Sequence, residues 1–140
     1  AIRVDKMTFA AMEETLKKYR DESVALRDIP VLSMISASEE KLKAKAEKLA
    51  ELVAAECKDE AFNIEIVEVL DQIGGGSAPS VRLPGYAVAI TSDEGTTKSL
   101  ERRLRRYELP VVARIQHDQL LLCVRTIMDD ELEHVAKALR

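Results

Sequence analysis

At 140 residues the chain suits one domain, or one domain with a small appendage, and is long enough to bury a core. Apolar residues at 46% and charged residues at 33% exclude a disordered segment, and a net charge of −4 excludes a basic footprint spread over the whole domain. Aromatics at 4%, with no Trp, argue against a base-stacking nucleic-acid module and leave the core to aliphatic side chains.

The chain opens on Ala1-Ile2-Arg3-Val4-Asp5-Lys6, which has no signal-peptide apolar region, and it begins without Met. Either Met was removed or the chain is a piece cut from something longer. Phe9, Met12, Leu16 and Tyr19 recur three and four apart and draw one apolar stripe on a first helix, with Asp5 or Thr8 as its cap. Residues 21–37 read as a connector with a short apolar stretch, in which Pro30 disfavours a helix across it. Ser36-Ala37-Ser38-Glu39 fits a capping box for a second helix, whose buried stripe is Leu42, Ala46, Leu49, Val53 and Cys57. Its lysines and glutamates alternate in sign, as a solvated face does.

Residues 62–73 are β-branched and partly alternating, which predicts a strand. Gly74-Gly75-Gly76-Ser77-Ala78-Pro79-Ser80 is a loop by composition. Tyr86 to Ile90 is apolar on both faces, hence a central strand. Asp93 to Thr97 is a turn into a helix with Leu100 and Leu104 inward, ended by Pro110. Val111–Gln116 and Leu120–Ile127 form two strands around a tight turn at His117-Asp118, and Asp129 caps a last helix carrying Leu132, Val135 and Leu139. The order ααββαββα, with short connections, predicts an α+β fold with a mostly antiparallel sheet of about four strands covered by helices. The boundary falls between 1–35, a helix and connector, and 36–140, the α+β domain.

Three consecutive glycines permit positive φ and close backbone approach, and their amides can cradle an anion. No Lys-Ser/Thr follows them and GxGxxG is absent, so a plain loop is the simpler reading of the run alone. Arg82, in Pro79-Ser80-Val81-Arg82-Leu83-Pro84, sits on an arm stiffened by two prolines. A guanidinium held there suits bidentate carboxylate or phosphate recognition, against the plainer reading of a surface arginine. Arg102-Arg103-Leu104-Arg105-Arg106 is the densest basic run. It can grip a nucleic-acid backbone, but four cations near a helix C-terminus also complement its dipole, and the structural reading is preferred. His117 and His134 lack partners at zinc spacing, so no metal is expected. Cys57 and Cys123 lie far apart without CxxC and read as structural thiols of a reduced, cytoplasmic protein. No nucleophile signature appears, and no catalytic residue is assigned.

Several stretches together resemble a known family. Ala1-Ile2-Arg3-Val4-Asp5-Lys6-Met7-Thr8, the Gly74–Ser77 loop with Arg82-Leu83-Pro84, and Pro110 to Ile115 followed by Leu120 to Thr126 resemble, in order and spacing, the bacterial selenocysteine synthases, which are L-seryl-tRNA(Sec) selenium transferases. The resemblance implies the small C-terminal domain of a fold-type-I pyridoxal-phosphate enzyme, from which the large domain and the Schiff-base lysine are missing. It implies seryl-tRNA(Sec) and selenophosphate as substrates and a homo-oligomer; no membrane is expected, because no apolar run approaches the roughly 18–20 residues of a membrane span. It makes Arg3 and Arg82 anion or substrate contacts, with Gly75, Gly76 and Ser77 in the wall beside Arg82, and it leaves Arg114 and Arg125 as hairpin positions of structural character. Ala113, Gln116-His117-Asp118-Gln119, Cys123 and Val124 depart from the family pattern, all within the hairpin. A related branch of ammonia-lyases and aldolase-partner enzymes acting on phosphorylated sugars shares much of the pattern, and a free-standing binding or regulatory module is the contrasting class.

Overall fold

The computed structural model describes residues 3–58, 62–74, 78, 80–92 and 97–140. The chain divides into two compact units, Ala1–Ala37 and Ser38–Arg140.

The first unit is helical. Asp5 caps α1 (Lys6–Lys18), its Oδ1 accepting hydrogen bonds from the Met7 and Thr8 amides at 2.9 Å each. Those contacts favour the carboxylate and hold the Asp5 pKa below its ordinary value. Phe9, Met12, Leu16 and Tyr19 do form a stripe, and all four are more than half exposed. Where a connector was expected there are two short helices, α2 (Glu22–Asp28) and α3 (Pro30–Ile35). Asp21 caps α2 through the Ser23 and Val24 amides. Pro30 takes the first position of α3, where its missing N–H would have had no partner anyway. Pro30 thus starts a helix rather than only preventing one.

The second unit begins at α4 (Glu39–Glu56), capped by Ser38 rather than Ser36. The Ser38 hydroxyl accepts from the Lys41 amide at 3.3 Å, while Ser36 ends α3, so the expected capping box is not the one used. Leu42, Ala46, Leu49, Val53 and Cys57 are all buried, as their spacing predicts. β1 (Phe62–Gln72) and β2 (Arg82–Ser92) pair antiparallel along their full length. α5 (Thr97–Arg106) buries Leu100 and Leu104 and stops four residues short of Pro110. β3 (Arg114–Gln116) and β4 (Gln119–Cys123) close a hairpin on His117 and Asp118, both at positive φ, which is the two-residue turn whose twist matches the strands.

The sheet is antiparallel throughout, in the order β1-β2-β4-β3. Opposed residues share a face, so Val88, Ile90, Leu120 and Leu122 stand together, each almost fully buried. Val69, Ala87, Ala89 and Leu121 form an apolar cluster on the opposite face, flanked by Val67 and Cys123. Each fully buried Leu or Ile in such a core contributes roughly 1.5–3 kcal/mol.

Three expectations about the last third are corrected. The third strand is three residues long, not Val111–Gln116. The fourth strand ends at Cys123, and Val124–Thr126 form a 3₁₀ turn that swings Arg125 inward. The last helix, α6 (Leu132–Lys137), follows Glu131 with no side-chain cap. Asp129 instead meets Lys45 of α4 at 2.8 Å, and Lys45 also donates to the Ile127 carbonyl at 2.9 Å. The hydrogen bond from Lys45 holds the Asp129 pKa below its ordinary value of 3.8. A carboxylate depressed in the folded state stabilises above its unfolded pKa and loses that effect as pH falls through the folded value. Asp129→Asn is therefore expected to lower stability at pH 7 by about 0.5 kcal/mol, a figure discounted for the exposed carboxylate. In thermal melts the difference from wild type should start to shrink as pH falls below 3.8 and vanish below the depressed folded value.

Candidate functional site

The candidate site is the arm that opens β2. Arg82 is the first residue of the strand, set opposite Gln72; Pro84 faces Leu70 and Gly85 faces Val69. The Arg82 side chain is exposed, and its Nη1 donates to the Val81 carbonyl at 3.3 Å.

The arm is fixed by a buried ion pair. Val67, Val69 and Asp71 alternate onto one face of β1, so the strand carries a carboxylate to the edge of an apolar cluster. Arg125, turned inward by the 3₁₀ turn, donates from Nε to Asp71 Oδ2 at 2.7 Å. Its Nη2 donates to the Pro84 carbonyl, so one guanidinium ties β1, the start of β2 and the end of β4 together. Both side chains are about nine-tenths buried. The geometry requires glycine at position 85, where a Cβ would lie 2.6 Å from Asp71 Oδ2 and 3.2 Å from Arg125 Nη2.

Beside the arm a cleft of about 370 Å³ is lined by Val69, Pro84, Gly85 and Tyr86, with Glu39 and Glu68. Two carboxylates there repel an anion, so any anion chemistry belongs to Arg82 on the strand's outer end and not to the cleft. Gly74 has φ of +149°, a conformation that favours glycine, and nothing lies within 4 Å of the Cβ it lacks. Gly75, Gly76 and Ser77 lie outside the described residues. Arg3 is exposed, two residues before the Asp5 cap, in the first unit.

Other chemical candidates are quieter. Arg114 is exposed on β3, opposite Leu121. Burial pushes the Cys123 thiol above its ordinary pKa, against a smaller opposing pull from Arg114, which disfavours a reactive thiolate. Among the described residues no three His, Cys, Asp or Glu side chains group to hold a metal, no lysine is buried, and no helix is long and apolar enough to cross a membrane. Sequence reasoning overlooked Asp71 altogether. Its signal was a carboxylate in phase with Val67 and Val69, on a face that must be paired if buried.

The comparisons with known proteins place these elements. The family model described as L-seryl-tRNA selenium transferase matches residues 1–128. The chain belongs to that family. An L-seryl-tRNA(Sec) selenium transferase of Clostridium botulinum (strain Hall) is 39% identical over 137 residues, which is 98% of this chain and 29% of that protein. The enzyme of the same name from Moorella thermoacetica is 40% identical over 139 residues, 99% of this chain and 29% of its own length. The chain thus spans under a third of the curated relatives that it matches, and within that span lie the Arg-Leu-Pro arm and both sheet hairpins.

Proposed function

We propose that this chain is the C-terminal small domain of a pyridoxal-phosphate-dependent selenium transferase that converts seryl-tRNA(Sec) to selenocysteinyl-tRNA(Sec) with selenophosphate, and that it is inactive alone. The observation that carries this reading is the near-complete coverage of this chain by enzymes named for that activity, at under a third of their length. The exposed stripe of α1 supports it, because a helix with four large apolar side chains in water is normally covered by another surface. The cofactor supplies the electron sink for loss of the serine hydroxyl when bound, and the missing portion of the protein holds it. The contribution of this chain is Arg82, whose guanidinium, held at the end of a pinned strand, takes an oxyanion of the donor or the ester carbonyl of the seryl group. Arg3, ahead of α1, is a further anion-binding candidate within its own unit. The assembled enzyme is a cytoplasmic homo-oligomer.

The test supplies the rest of the protein and measures selenium transfer from selenophosphate to seryl-tRNA(Sec). Transfer by the full-length protein and none by residues 1–140 is expected; a full-length protein without transfer, or with lyase activity on an amino-sugar acid, overturns the reading. Within the active full-length enzyme, Arg82→Ala is expected to lower kcat/KM by tenfold or more, roughly 1.4 kcal/mol, with an unchanged melting temperature because the side chain is exposed. Wild-type kinetics in that variant would remove Arg82 from the site.

A further inference from the structure

α5 is the most basic element of an acidic chain. Thr97–Arg106 carries Lys98, Arg102, Arg103, Arg105 and Arg106 against one carboxylate, Glu101, whereas the whole chain has a net charge of −4. The fold separates these arginines by role. Arg105 pairs with Glu101 one turn earlier. Arg103 donates to the Leu139 carbonyl and ties α5 to the residues after α6. Arg102 and Arg106, four apart and therefore stacked on one face, are exposed and make no ion pair among the described residues.

Those two arginines border a shallow groove of about 420 Å³, whose other walls are Ser99, Arg103 and Tyr107. Tyr107 is held in place by the ring of His134, centroid to centroid 5.2 Å, and the His134 Nε2 lies 2.9 Å from the Leu109 carbonyl. The groove thus presents fork-shaped cations, two hydroxyls and one oriented aromatic ring, with Glu108 as the adjacent acid in sequence. A helix dipole needs cations only near its last turn, and a paired Arg105 with a tethered Arg103 already supplies them. Among the described residues no ion pair accounts for Arg102 and Arg106.

We infer that the groove along α5 formed by Arg102, Arg106 and Tyr107 docks the phosphodiester backbone of the tRNA substrate. Adjacent guanidiniums match a backbone of regularly spaced phosphates, each bound bidentately, and the hydroxyl of Tyr107 donates to a remaining phosphate oxygen. Contacts of this kind position the RNA without reading its sequence, so the groove adds affinity and orientation rather than discrimination among tRNAs. The inference rests on the reading above that the whole protein acts on a tRNA.

The experiment measures binding of unacylated tRNA(Sec) transcript to the full-length protein between about 50 and 200 mM salt, by filter retention. The double variant Arg102→Ala/Arg106→Ala is expected to bind roughly tenfold more weakly at the lower salt, with a log–log salt slope shallower by about two. Arg102→Lys/Arg106→Lys keeps the charges and should keep the slope, which separates charge loss from misfolding. Arg105→Ala, whose guanidinium is engaged by Glu101, should leave both readings at wild type. Wild-type affinity and slope in the double alanine variant, with selenium transfer by the wild-type enzyme intact, overturn the docking surface and spare the proposed activity. Absence of transfer in the wild type removes the activity instead, and the groove then stands only if tRNA binding is present and falls in the double alanine variant.

Discussion

Arg125→Met is expected to lower the stability of the chain by about 3–5 kcal/mol, read as a shift in the urea midpoint at unchanged slope. Methionine keeps much of the volume and removes the charge, so the loss isolates the ion pair from packing. The Asp71 carboxylate, about nine-tenths buried, then faces the Val69 cluster with no cation, and the Pro84 carbonyl loses its donor. Replacing both partners, as Asp71→Leu/Arg125→Met, should recover most of the loss, because the largest part of the penalty is the orphaned charge and not the missing attraction. A single variant with the wild-type midpoint would show that Asp71 finds water and that the pair does not hold the arm.

Gly85→Ala is expected to cost about 2–3 kcal/mol, although alanine is intrinsically no worse than glycine in a strand. The added methyl meets Asp71 Oδ2 at 2.6 Å, and that carboxylate cannot retreat without leaving Arg125. The two variants act on one contact, so Gly85→Ala placed in the Asp71→Leu/Arg125→Met background should cost a different amount than it does alone. Equal costs in the two backgrounds would show that the methyl strains something other than the pair.

Where one physical signal dominates, the sequence was a good guide. The α4 stripe from Leu42 to Cys57, the doubly apolar Tyr86–Ile90 and the turn at His117-Asp118 each carry a single period or a single turn chemistry, and all three stand in the structure as read. The failures share a cause. Asp21 and Pro30 are helix starters that also look like breakers, so two short helices passed for a connector. Asp129 has the chemistry of a cap but found Lys45, 84 positions earlier in the chain, and no local pattern reports such a partner. The fourth strand ends early where the 3₁₀ turn brings Arg125 to Asp71, a partner 54 positions away that no local pattern reports. At the candidate site Arg82 was legible as an arginine on a stiff arm. What pins that arm was not, because Asp71, Gly85 and Arg125 are brought together only by sheet pairing.

The strand order β1-β2-β4-β3 also sets how the sheet comes together in time. It consists of two hairpins, each closed by a short stretch of chain and so quick to form, joined edge to edge by β2 and β4 with α5 between them in sequence. Uniting the hairpins carries the larger loop-closure entropy and is the slow, cooperative event. The Asp71–Arg125 bond bridges that seam across 54 positions, so it closes after the hairpins meet and acts as a latch against their parting. A contact made so late governs how long the domain stays folded far more than how fast it folds.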